Sequence, residues 1–341
     1  MHGYFAQDGR REYRASRLAG RALSHGPSQR LDEAARAGWL YYVSGDTQEE
    51  VARKLRISRQ AVQRLVSLCA SEGLIKVRLE HPIGRCMELG EVLRSRFKLQ
   101  RVQVVPSVPS SNSVTFGLTQ AVAAEMERWL TSTGRLVVAI GAGRILGAAA
   151  RQLTSIDAQT KRVVSLTGNI ARDGSTWSHD VIFSMSARTG ARCFPLPLPG
   201  IAASCEERRQ LHAQPIVRET LKLSQEASVA FVNIGHLESD ARLVIDGLWQ
   251  LADQQSLSQA GAVGEVEGWA FDESGALIDG LTNDRVAGAP LPPRHSCDVI
   301  GVAAGARNVA AMHGALKGRL VNGLITDEET AEGLLELYKT K

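Results

Sequence analysis

Between Leu31 and Leu79 apolar residues recur at helical spacing in three short blocks. In "LDEAARAGWLYYV" they fall at Leu31, Ala34, Ala35, Gly38 and Tyr41 to Val43, which predicts a first helix with one buried face. "SGD" breaks that pattern. Thr47 followed by Glu50 forms a capping box and opens a second helix, barely two turns long, with Val51, Ala52 and Leu55 on one face. "RIS" makes a turn with Ile57 plugging the junction, and Ser58 caps a third helix that points Val62, Leu65, Val66 and Leu68 or Cys69 inward. Next, Ile75, Val77 and Leu79 alternate with Lys76, Arg78 and Glu80, the pattern of a short strand and so of a small wing. A further stripe, Leu89, Leu93 and Phe97, predicts a connecting helix that packs against a second subunit or against its own domain.

After "VVPS" the rhythm changes. "LTQAVAAEMERWL", "ILGAAARQL" and "ARNVAAMHGAL" have helical spacing, whereas "RLVVAIG", "RVVSLTG", "SVAFVNIG", "DVIGVAAG" and "RLVNGLIT" are continuous apolar runs. Strands apolar on both sides, with helices between them, indicate a largely parallel sheet covered on both faces. The chain therefore divides into a basic flexible arm (1–30), an all-α, winged helix-turn-helix domain (31–82), a linker helix (83–105) and a large Rossmann-like α/β domain (106–341). The length of 341 residues suits one small and one large domain.

Charge sharpens that division. Residues 1–85 hold 15 Lys/Arg against 9 Asp/Glu, whereas the whole chain holds 40 against 36, so the excess of positive charge lies at the front. Such an asymmetry points to a front module that meets polyanions. No stretch approaches 18 uninterrupted apolar residues and the N-terminus lacks an apolar signal core, so the expected location is cytoplasmic, away from membranes. The five cysteines show no CxxC pairing and the eight histidines no HExxH, while GxSxG and GxxxxGK[ST] are absent; no metal or cofactor is expected.

Two sets of residues carry candidate chemistry. With the apolar face of the third helix turned inward, Arg59, Gln60, Gln63 and Arg64 occupy the opposite face near its start, the part of such a helix that enters a major groove. Arginine pairs bidentately with guanine and glutamine with adenine, so these side chains suit base readout. Arg53, Lys54 and Arg56, with Ser58 at the turn, are placed for phosphates. The second set lies at strand-to-helix junctions rich in glycine. Gly141, Ala142, Gly143 and Arg144 follow one apolar run directly, and "SLTGN", "VNIGHLESD" and "GVAAGARNV" repeat the arrangement. Free backbone N–H groups at such junctions attract anions or polarised hydroxyls.

In this order the motifs resemble the SorC family of bacterial transcriptional regulators, the sugar-binding DeoR-like group, over residues 31–340. "TQEEVARKLRISRQAVQRLVSLCASEGLIKV" resembles the family's helix-turn-helix, "GAGRIL" its glycine loop and "SLTGN" its second loop. "GAVGEVEGWAFDESG" is similar to its acidic turn, and "VIGVAAGARNVAAMHGALKGRLVNGLITDEETAEGLL" to its C-terminal signature. The resemblance implies an effector domain with the fold of sugar-phosphate isomerases and CoA transferases, assembled as a dimer or tetramer. It also implies double-stranded operator DNA and a sugar, polyol or sugar phosphate as partners. Carried onto this chain, the effector residues are Gly141, Ala142, Gly143, Arg144, Gly168, Asn169, Glu265, Gly305, Arg307 and Asn308. Two positions depart from the family pattern: Ala142 stands where many relatives have a hydroxyl residue, and Asn308 where many have lysine. Both departures remove a phosphate partner and favour an unphosphorylated effector.

The function expected is repression of a carbohydrate or polyol catabolic operon under effector control, without catalysis. The alternatives are an isomerase-like enzyme using Glu265 or Asp272 as general base, and an effector-independent DNA binder. "FDESG" also reads simply as an acidic turn.

Overall fold

A computed structural model describes residues 27–75, 83–107, 113–171, 174–176, 181–238, 241–245 and 247–339. The chain separates into two units, Met1–Val77 and Arg78–Lys341. The arm expected over residues 1–30 lies outside the described residues as far as Gly26, as do residues 76–82, where most of the wing is expected.

The first unit holds α1 (Pro27–Gly38), a five-residue π-type turn (Trp39–Val43), α2 (Gln48–Leu55) and α3 (Arg59–Ser71). Helix α1 begins at Pro27 and not at Leu31, taking in the end of the expected arm; proline fits a first turn because its missing N–H is not needed there. Ala37, Val51, Val62 and Val66 form the core. Ala34 is buried as expected, but Ala35 is exposed and Ala37 takes its place inward. Both caps form as the sequence predicts. Thr47 Oγ1 accepts from Glu50 N–H at 3.3 Å while a Glu50 carboxylate oxygen accepts from Thr47 N–H at 2.7 Å, and Ser58 Oγ accepts from Ala61 N–H at 3.2 Å. Arg56 ends α2 in the left-handed conformation, φ 55°, which makes the turn tight.

The second unit runs α4 (Gly84–Phe97), β1 (Arg101–Val105), α5 (Ser113–Thr131), β2 (Val137–Ile140), α6 (Arg144–Gln152), β3 (Arg162–Ile170), α7 (Val181–Thr189) and β4 (Arg192–Pro199). It continues with α8 (Cys205–Ala213), α9 (Pro215–Gln225), β5 (Val229–His236), α10 (Arg242–Ile245) and α11 (Leu251–Gln259). The hairpin β6 (Ala262–Val266) and β7 (Trp269–Asp272) follows, then β8 (Asp298–Val302), α12 (Val309–Lys317), β9 (Gly323–Asp327) and α13 (Glu328–Lys339).

Seven strands form a parallel sheet in the order β1-β9-β8-β5-β2-β3-β4. Adjacent residues along each strand feed separate cores. Val137 and Ala139 join one cluster with Ala230, Val232, Val299 and Leu324, and Val138 and Ile140 join the other with Val229, Phe231, Ile300 and Ile325. A period of two with apolar residues on both faces is what continuous apolar runs require, and it confirms a sheet covered on both sides.

The segment 83–105, expected as a linker helix, is part of this body. Leu89 and Leu93 of α4 are buried in one core with Leu334 of α13, and β1 pairs along its length with β9. The apolar stripe on α4 therefore faces its own domain.

From β2 the chain winds outward to β3 and β4, then returns to place β5 on the other side of β2 and winds outward to β8 and β9. The carboxyl ends of β2 and β5 flank the resulting switch point, where connections leave in opposite directions and open a crevice.

Candidate functional site

The β6–β7 hairpin reaches that crevice. Val266 pairs with Trp269, so the loop is the dipeptide Glu267-Gly268, with φ 50° and 92°. Positive φ at both central residues is the requirement of a tight hairpin turn whose usual first residue is Asn, Asp or Gly. Here a glutamate takes it. Its side chain is buried, and its two oxygens accept from opposite walls: Oε2 from Ala142 N–H at 2.9 Å, just after β2, and Oε1 from Asn233 N–H at 2.6 Å, within β5. Burial pushes the Glu267 carboxyl up to about 8, against the opposing pull of those two N–H groups.

Gly141 fits this arrangement, since a Cβ there would fall inside the Glu267 carboxylate. Gly143 caps α6 with φ 152° and packs against Asn233, and Arg144 is exposed at the start of α6. Glu265 is buried on β6, its Oε2 accepting from Gly268 N–H at 2.8 Å, and its side chain fills the space a Cβ on Gly235 would need. Burial raises its carboxyl to about 7. Glu265 thus braces the turn that presents Glu267. Sequence reasoning missed Glu267; "VEGW" signals a two-residue turn ending in glycine but not where that turn lands.

Gly168 and Asn169 lie within β3, not in a loop after it. The β3–β4 register shifts at Gly168, where a Cβ would strike the carbonyls of Leu198 and Pro199. Asn169 Oδ1 is buried without a partner among the described residues, an acceptor at the carboxyl end of β3. Gly305 has φ 97°, and its N–H donates to Thr330 Oγ1 at 2.7 Å. Asn308 is committed within the fold: Nδ2 donates to Ala304 O at 2.7 Å and Oδ1 accepts from His236 N–H at 3.1 Å, tying β5 to the turn after β8. Arg307 faces Glu238 at 3.6 Å. Asp272 Oδ1 accepts from Ser274 N–H, Ser274 Oγ and Ala276 N–H at 2.8, 2.7 and 3.0 Å, and these bonds hold its carboxyl below the ordinary range. "FDESG" is an Asx-type turn whose carboxylate is engaged locally.

In the first unit Arg59, Gln60, Gln63 and Arg64 are all exposed on α3, with Arg53, Lys54, Arg56 and Ser58 exposed beside them. Lys54 Nζ is paired with Asp46 Oδ2 at 2.6 Å while its side chain stays half exposed. Among the described residues no group of His, Cys, Asp and Glu is disposed to hold a metal ion, and no helix is long and apolar enough to cross a membrane.

Comparison with known proteins adds a family and several relatives. Residues 81–336 match the Sugar-bind model, a sugar-binding domain family. The chain is 30% identical over 302 residues to the erythritol catabolism regulatory protein EryD of Brucella abortus, spanning 89% of this chain and 96% of that one. It is 30% identical over 309 residues to the transcriptional regulator LsrR of Escherichia coli (strain K12), spanning 89% and 94%. Among solved structures, the full-length sorbitol operon regulator SorC from Klebsiella pneumoniae matches with TM-score 0.66 at 21% identity, covering 92% of this chain and 100% of that one. A DeoR family transcriptional regulator from Listeria monocytogenes matches with TM-score 0.67 at 18% identity, covering 73% and 99%.

Proposed function

The chain belongs to the Sugar-bind family of SorC- and DeoR-type transcriptional regulators, and from that premise we propose that it represses a carbohydrate or polyol catabolic operon by binding operator DNA under effector control. One observation supports this above the rest: a single chain joins an exposed Arg59, Gln60, Gln63 and Arg64 face on a capped α3 to a doubly wound sheet whose switch-point crevice is lined by buried polar groups. The α3 face reads bases, Arg53, Lys54, Arg56 and Ser58 hold phosphates, and the larger unit senses the ligand.

The effector sits at the strand ends, against Gly141 to Arg144, Gly168, Asn169, Glu265 and the Gly305 to Asn308 turn, with Glu267 added to that set. Asn169 Oδ1 supplies an acceptor for a hydroxyl, and backbone groups and carboxyls supply the rest. No catalysis is assigned, because Asp272 is engaged in its own turn and Glu265 in the hairpin. The chain works as a dimer or tetramer, and its DNA heads engage half-sites about 34–36 Å apart, or a multiple of that spacing. Ligand binding changes which head spacing is favoured.

The test is a fluorescence-anisotropy titration of the full chain on DNA from upstream of its own operon, repeated with erythritol, sorbitol and their phosphates. Specific binding that one of these compounds shifts supports the reading. Specific binding that neither these nor a wider panel of free sugars, polyols and their phosphates moves favours a ligand-independent DNA binder, and no specific binding at all overturns the proposal.

A further inference from the structure

We propose that Glu267 sets the effector class of the switch-point crevice: its carboxylate fills the seat that an effector phosphate would take, so the chain answers to uncharged polyols or sugars and rejects phosphorylated ones. This rests on the reading that the effector binds at the strand ends.

In a doubly wound sheet the donors that hold an anion are the backbone N–H groups just past the strands that flank the switch point, at the positive end of the following helix. Here Ala142 N–H, just after β2 and before α6, is such a donor, and Asn233 N–H, within β5 but beyond its last pair with β2, faces it from the other wall; the two oxygens of Glu267 already span them at 2.9 and 2.6 Å. A phosphate brought to the same place meets two donors already occupied and a buried carboxylate beside it. Ionised or protonated, the carboxyl holds both N–H groups and the space between them, so a phosphate there would be buried without donors.

Three further observations fit the seat to its occupant. Glu267 adopts a left-handed conformation that an ordinary side chain avoids, and such strain persists only where the surroundings enforce it. Its contacts with both walls do so. Gly141 has no room for a Cβ because the carboxylate is there. Glu265 fixes the turn through Gly268 N–H, so the side chain is aimed before any ligand arrives. A hydroxyl suits the same place, since it exchanges hydrogen bonds with a carboxyl in either protonation state. Burial, which lifts the Glu267 carboxyl to about 8, adds that it can also donate to a polyol oxygen near neutral pH.

The proposal is tested on the full chain in two ways. First, Glu267→Ala empties the seat. Inorganic phosphate or acetate should then raise its melting temperature saturably, by a few degrees, and leave the wild type unmoved. Saturable stabilisation of the wild type by inorganic phosphate, equal to that of Glu267→Ala, overturns the assignment. Second, and independent of how well the variant folds, erythritol and sorbitol are compared with their phosphates in the operator titration of the wild type. The uncharged member of a pair should act at a concentration at least tenfold below its phosphate. A phosphate that acts as well as or better than its polyol overturns the assignment while leaving the strand-end effector reading intact. If no member of either pair moves operator affinity, the first test decides alone: saturable stabilisation of Glu267→Ala but not of the wild type by phosphate supports the seat, and its absence overturns the assignment.

Discussion

At the scale of single residues, a few glycines and two glutamates decide the geometry of the crevice. Gly141→Ala places a methyl group where the Glu267 carboxylate lies, and overpacking of that kind costs about 1–3 kcal/mol. Urea unfolding of the larger unit should show the loss, and adding Glu267→Ala should recover part of it, because the clash needs both side chains. Strict additivity of the two substitutions would contradict the packing. The glutamates also link stability to pH. Their ordinary value is 4.5, and burial raises Glu265 to about 7 and Glu267 to about 8, so the folded chain keeps protons that the unfolded chain has released. Stability from these groups is complete below the ordinary value and is lost as pH rises through about 7 and 8. The melting temperature should therefore fall between pH of about 5.5 and 8.5, and Glu267→Gln should flatten that slope. A melting temperature that climbs through this window in the wild type would remove the raised values from consideration.

At the scale of elements, caps, turns and apolar runs were readable and edges were not. Thr47, Glu50 and Ser58 announced α2 and α3 because each cap is a local event within four residues. The runs at Val137, Val163, Val229 and Val299 announced central strands because burial on both faces leaves no polar alternation to blur them. Edge strands lack that signature. Strand β1, "RVQVV", is half polar and follows directly on α4, and β4, "RCFPLPLP", carries three prolines that argue against a strand anywhere but at the rim, where it lies. The glycine loop of the candidate site was legible from its place after β2, whereas Glu267 depends on where a hairpin tip lands in space, which spacing along the chain does not encode. For α3 the exposed face makes a sharp prediction. Alanine at both Arg59 and Gln63 should abolish preference for operator over random DNA yet keep the steep salt dependence of nonspecific binding, as measured by anisotropy at several salt concentrations. Equal loss on every DNA would show those side chains to be phosphate contacts.

At the scale of the whole molecule, any coupling between the two units is reciprocal. If a ligand in the larger unit changes operator affinity by some factor, operator must change ligand affinity by the same factor, about 5–150-fold in typical cases. Calorimetric titration of the effective polyol into protein with and without saturating operator checks this, and an unchanged affinity would break the coupling. The prolines of β4 have a different consequence. Arg192 N–H donates toward β3, so the alternating Pro195 and Pro197 lack N–H groups on the outer side of the strand, and a rim without those donors is a poor template for another strand. Copies of this chain are thereby barred from zipping sheet to sheet along that rim. Contacts between copies are left to surfaces other than that rim, and the same feature guards this edge of the domain against cross-β growth.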